Sequence, residues 1–130
     1  MRTMTEQIRL SFPHNPAYVS SARLTASGIA NRINFDIDEI EDIKTAVSEA
    51  CTYIIRRSAG AKGNFELCLV PSTDSITVEI TAEDSGKNQH TNEEMSLMMI
   101  KALVDEFTIT KGKKQISINM LKKHTKTVFD

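Results

Sequence analysis

The chain has 130 residues, 40% of them hydrophobic and 25% charged, enough for one domain whose core removes roughly two-thirds of the unfolded surface from water. Sixteen basic residues against seventeen acidic give a net charge of −1, which excludes the electrostatic footprint of a dedicated nucleic-acid binder. With no tryptophan and 5% aromatics, stacking platforms for single strands are also scarce.

No apolar run reaches the ~20 residues a bilayer demands, and the opening MRTMTEQIRL has no hydrophobic leader. A cytoplasmic protein is expected, with neither membrane nor nucleic acid as a direct partner. Cys51 and Cys68 lie far apart in apolar stretches, without a CxxC or a histidine pair, and read as reduced core thiols with no metal.

Ile8, Leu10 and Phe12 alternate with Arg9 and Ser11, the period of a half-buried strand that Pro13 stops. Asn15 and Pro16 then open a first helix, with Val19, Ala22, Ala26, Ile29, Ala30 and Ile33 on one face. A second helix follows, headed by Asp38 and Glu41 as a capping box and striped by Ile43, Ala46, Val47, Ala50, Cys51 and Ile54. The acids crowding its start suit a helix N-terminus.

Phe65, Leu67 and Leu69, a Pro71 to Asp74 turn, and Ile76, Val78 and Ile80 predict a hairpin. Residues 83 to 92 are polar. Met95, Met99, Ile100, Leu103, Val104 and Phe107 then recur at helical spacing, and two strands starting at Ile109 and Ile116 flank a lysine-rich turn. Six lysines and no acid lie between Lys111 and Lys126, the pattern of charged edge strands and a solvated tail. Helices grouped between strands predict an α+β two-layer sandwich, a mixed β-sheet with the helices on one face, as a single domain over residues 1–130.

No phosphate loop, dinucleotide fingerprint or nucleophile elbow occurs, and His14, His90 and His124 share no ligand or triad spacing, so each reads as a surface histidine. One constellation remains. Asp42, Ala46, Glu49 and Tyr53 step by three or four residues along the second helix, a stripe flanking its apolar face. From that flank Glu49 could look into a cleft as a general base, although an isolated helix carboxylate is usually only solvated.

Pro16 to Val19, Arg23 to Thr25, and above all Asp38 to Thr52, containing Ser48-Glu49-Ala50, closely resemble the bacterial anti-sigma-factor serine kinases of the general-stress and sporulation type, members of the GHKL ATPase superfamily. The element order resembles that family's Bergerat-type sandwich over nearly the whole chain. The resemblance implies a SEAxxN motif in which Glu49 is the base and an Asn holds the magnesium ion that bridges the ATP phosphates. Tyr53 stands at the Asn position, and a phenol is a poor magnesium ligand. The resemblance further implies an Asp-x-Gly whose carboxylate reads the adenine amine. Asp84-Ser85-Gly86 matches it, with Glu83 as a competing register.

The family's longer lid and Gly-x-Gly are replaced by a short polar connection and by Glu94-Met95-Ser96-Leu97. Side chains there intrude on the phosphate path, and a carboxylate repels a triphosphate. Arg23 matches a first-helix arginine that contacts partners. The resemblance implies a homodimer, binding of a sigma factor and an anti-anti-sigma protein, and ATP with magnesium as cofactors. The replaced motifs turn this toward an anti-sigma-like regulator with weak or no kinase activity. The alternatives are an active kinase using Glu49 and Asp84, or a remodelled pocket holding another ligand.

Overall fold

The computed structural model describes residues 6–58, 63–84 and 93–124. Strand β1 (Ile8–Pro13) leads through a 3-10 turn at Pro16–Tyr18 into helices α1 (Val19–Arg32) and α2 (Ile37–Arg57). Strands β2 (Asn64–Pro71) and β3 (Ser75–Glu83), helix α3 (Glu93–Leu103), and strands β4 (Glu106–Gly112) and β5 (Gln115–Lys123) follow. The sheet order is β1-β2-β3-β5-β4. All four pairings are antiparallel, so the sheet is not mixed as the sequence suggested. β2–β3 and β4–β5 are hairpins, and the crossing through α3 brings in β4 running parallel to β3, with β5 between the two and antiparallel to both.

Alternation decides the faces. Phe65, Leu67, Leu69, Ile76, Val78, Ile80, Ile116, Ile118 and Met120 are buried on the side facing the helices, each worth roughly 1.5–3 kcal/mol of transfer free energy. The opposite side carries Thr77, Glu79, Thr81, Ser117 and Asn119, with Thr81 and Ser117 sharing a 3.1 Å hydroxyl bond. This is the one-sided burial usual for antiparallel sheets. Cys68, paired with Arg9 and Glu79 across the strands, lies on that outer side, buried by its neighbours but outside the core cluster. Only Cys51 is a core thiol.

The helical layer centres on α2. Ala22, Ala26 and Ala30 of α1 are fully buried, as are Ala46 and Ala50 of α2, and small side chains at such a contact let two helices approach closely. Asn34, at φ 68 in the left-handed region, turns the chain between them, a conformation asparagine tolerates. An aromatic stack runs from Tyr18 to Phe12 at 6.1 Å and on to Phe65 at 5.2 Å, joining the entry of α1 to the sheet.

Three local expectations change. Asn15 accepts from the Ala17 amide and caps the 3-10 turn, but the capping box of α2 is Asp36 with Glu39, not Asp38 with Glu41: Glu39 N–H donates to Asp36 at 2.8 Å, and Asp36 N–H donates to the Glu39 carboxylate at 2.9 Å. Met95 and Met99 are exposed, at 63% and 41%, while Ser96 and Ile100 turn inward, because α3 packs chiefly on α2 and buries only a narrow seam. Phe107 belongs to β4, opposite Met120, so the helix ends at Leu103. The histidines differ too. His14 bonds the buried Ser58 hydroxyl, and His124 stacks on Phe35 at 5.8 Å with Nδ1 2.7 Å from Glu39. His90 lies outside the described residues.

Candidate functional site

The chemistry-bearing residues of α2 fall at steps of four: Glu49, Tyr53 and Arg57. At 100° per residue such steps keep side chains on one flank, drifting slowly round it. The predicted stripe of Asp42, Ala46, Glu49 and Tyr53 does not lie outside the core, however. Ala46 is fully buried and Tyr53 is 3% exposed, both within the core cluster. Glu49 is half-buried. Asp42 accepts from Lys122 at 3.2 Å, which ties it to β5 rather than to a cleft.

Tyr53 packs because its neighbours Ile54 and Ile55 are buried with it. Three consecutive buried residues give α2 a broad apolar arc near its C-terminal end.

Asp84 directly follows β3. Its N–H donates to the Lys114 carbonyl at 3.0 Å, extending the β3–β5 ladder by one residue and fixing its direction. Alternation then separates the two carboxylates that competed in the sequence. Asp84 faces the helical layer, where Arg57 Nη2 approaches its Oδ2 to 3.1 Å and its Oδ1 to 3.4 Å. Glu83 lines a shallow groove of about 410 Å³ on the outer side of the sheet, beside Glu66, Thr81, Lys113 and Lys114. Gly86 and the connection read as a shortened lid lie outside the described residues.

The glycine-box positions behave oppositely. Glu94 is exposed and Ser96 is buried. Arg23 is half-buried, and its Nη1 donates to Ser48 Oγ at 3.2 Å, so the candidate partner contact is braced against the second helix beside Glu49. The sequence reading missed Arg57. Its signals were a cation in the last turn of a helix and a position four residues beyond Tyr53.

An ATP and magnesium site of the kind the resemblance implies does not fit these side chains. At Tyr53, where the resemblance implies the magnesium-binding amide, an aromatic ring is packed into the core, and Asp84, to which it gives the adenine amine, is engaged by the Arg57 guanidinium.

A helical layer on one face of a five-stranded antiparallel sheet, with Ser48-Glu49-Ala50 on its central helix, defines a scaffold of the histidine kinase-like type. The chain matches the family model described as the histidine kinase-like ATPase domain over residues 12–122, and it belongs to that family. Among characterised proteins it is 36% identical over 86 residues to the serine-protein kinase RsbW of Bacillus subtilis strain 168, covering 66% of this chain and 54% of that protein. It is 30% identical over 127 residues to the serine-protein kinase RsbW of Bacillus licheniformis, covering 82% of this chain and 79% of the relative. The chain thus spans about half the length of the first of these relatives. The RsbU and RsbW domains of Rv1364c from Mycobacterium tuberculosis superpose with a TM-score of 0.74 at 18% identity, over 94% of this chain and 33% of that one. That likeness concerns the fold alone.

Proposed function

We propose that this protein is an anti-sigma-type regulator: a module of the histidine kinase-like fold that captures a sigma factor, an anti-anti-sigma protein, or both, with little or no kinase activity. The similarity to serine-protein kinases named RsbW supports the regulatory class. The observation that carries the loss of kinase activity is Tyr53, 3% exposed in the core at the position where the family places its magnesium-binding amide. Phosphoryl transfer is mostly positioning and charge neutralisation around the metal. A buried phenol supplies neither.

The module would work as a cytoplasmic homodimer, with Arg23 at a partner contact. Arginine is favoured at such surfaces for its planar, multidonor head, and the bond to Ser48 limits the freedom lost on binding.

The test is a calorimetric titration of magnesium-ATP into the protein, with a phosphorylation assay on a candidate anti-anti-sigma protein and pull-down of sigma factors. Partner capture without nucleotide heat or phosphate transfer supports the proposal. Micromolar, magnesium-dependent ATP binding with phosphorylation abolished by Glu49→Ala overturns it in favour of an active kinase. Light scattering decides the assembly, and a monomer at high concentration rejects the dimer.

A further inference from the structure

Arg57 closes α2 and Asp84 leaves β3, so two rigid elements bring their side chains together. One guanidinium nitrogen reaches both carboxylate oxygens, at 3.1 and 3.4 Å, and the side chains are only 10% and 13% exposed. Arg57 also sits in the last helical turn, where the leftover carbonyls favour a cation. This is no flexible surface pair of negligible worth. Both charges have left most of their water, so opening the pair strands each of them in a poorly solvated place.

The carboxylate concerned is the one the resemblance assigns to the adenine amine. That amine would offer Asp84 an N–H donor. The guanidinium offers the same kind of donor with a full positive charge, so its bond to the carboxylate carries an ion-pair attraction that a neutral amine lacks. It is also tethered to the same chain, so a free base must compete against an intramolecular partner.

We propose that Arg57 is a built-in occupant of the purine-reading carboxylate, taking at Asp84 the place of an adenine amine and so excluding adenine compounds from the scaffold. The proposal rests on reading the protein as a member of its family that does without nucleotide, but it concerns the base position alone. Adenosine carries no phosphates for a metal or a glycine loop to hold, so it probes that position by itself.

Adenosine and inosine would be titrated, with chemical-shift mapping as the readout, into the wild-type chain, Arg57→Ala, Arg57→Met, Arg57→Lys and the double variant Arg57→Ala/Asp84→Asn, each checked for folding by circular dichroism. Inosine carries a carbonyl where adenosine carries the amine, and a carboxylate rejects it. The wild-type chain and Arg57→Lys, which keeps the charge, are expected to show no saturable binding at millimolar ligand. Arg57→Met, which keeps an unbranched apolar stem, has no N–H to offer Asp84 and protects against misfolding of the alanine variant, is expected to bind adenosine at least tenfold better than inosine, as is Arg57→Ala. The preference should vanish in the double variant. Adenosine-selective binding by the wild-type chain, or folded Arg57→Met without selectivity, overturns the proposal. Magnesium-ATP-dependent phosphorylation by the wild-type chain would overturn the functional reading instead, so the two failures are told apart.

Discussion

Lys122 Nζ lies 3.2 Å from Asp42 Oδ2 and donates at 2.8 Å to the carbonyl of Leu103, so one ammonium joins the last strand to the flank of α2 and the end of α3. That carbonyl is among those a helix leaves unsatisfied at its C-terminus. The Lys122 side chain is 15% exposed and that of Asp42 39%, which places most of the value in the carbonyl bond and the buried stem rather than in the ion pair. Lys122→Met is expected to cost about 1–2 kcal/mol in urea unfolding, and Asp42→Asn less than about 1 kcal/mol. Equal costs would mean that the ion pair dominates.

The helix cap gives a test of register. Asp36→Ala removes the acceptor for the Glu39 amide and is expected to cost about 1 kcal/mol, whereas Asp38→Ala should stay within about 0.5 kcal/mol. Glu39→Ala should cost more than either, because its carboxylate serves both the Asp36 amide and His124. Thermal denaturation of the three variants ranks them, and a larger effect at Asp38 would contradict the capping box described above.

Placing at Tyr53 the amide that the resemblance implies should not by itself create magnesium-ATP binding. Tyr53→Asn removes a buried ring and places a polar group in the core cluster, with an expected loss of about 2–4 kcal/mol. Magnesium-ATP should still give no heat in calorimetry while Arg57 holds Asp84. Unchanged stability would show that the ring is not packed as described.

Burial pushes the Cys51 thiol from its ordinary 9.0 up to about 12. The folded chain therefore keeps its proton while the unfolded chain loses it above pH 9, so the unfolded state binds fewer protons and stability falls as pH rises between about 9 and about 12. Cys51→Ala should flatten that alkaline slope in unfolding experiments. At pH 8 a thiol reagent should modify Cys68, on the outer side of the sheet, well before Cys51, whose labelling should follow global unfolding.

The elements were legible because periodicity reports burial directly. The six α2 residues expected in its stripe, from Ile43 to Ile54, are all buried, as are the inward residues of β2, β3 and β5 named from alternation. Misreadings arose where a local pattern had two solutions. Asp36 and Glu39 share the spacing of Asp38 and Glu41, and only the place where the chain enters the helix distinguishes them. Met95 and Met99 fit a helical stripe, but how wide a stripe α3 buries depends on the one helix it packs against.

For the candidate site, the sequence by itself determined which residues stand at the positions the resemblance singles out: Tyr53 where it implies an amide, and Glu94 and Ser96 where it implies glycines. Covalent order is enough to show that a residue differs from the one a resemblance leads one to expect. Only the tertiary structure decided which group engages Asp84, because Arg57 and Asp84 stand 27 residues apart in the chain and meet through the packing of α2 over β3. Asp84 rather than Glu83 faces the helices for the same reason. The β3–β5 register fixes which of two adjacent carboxylates points inward, and a one-residue slip would exchange them.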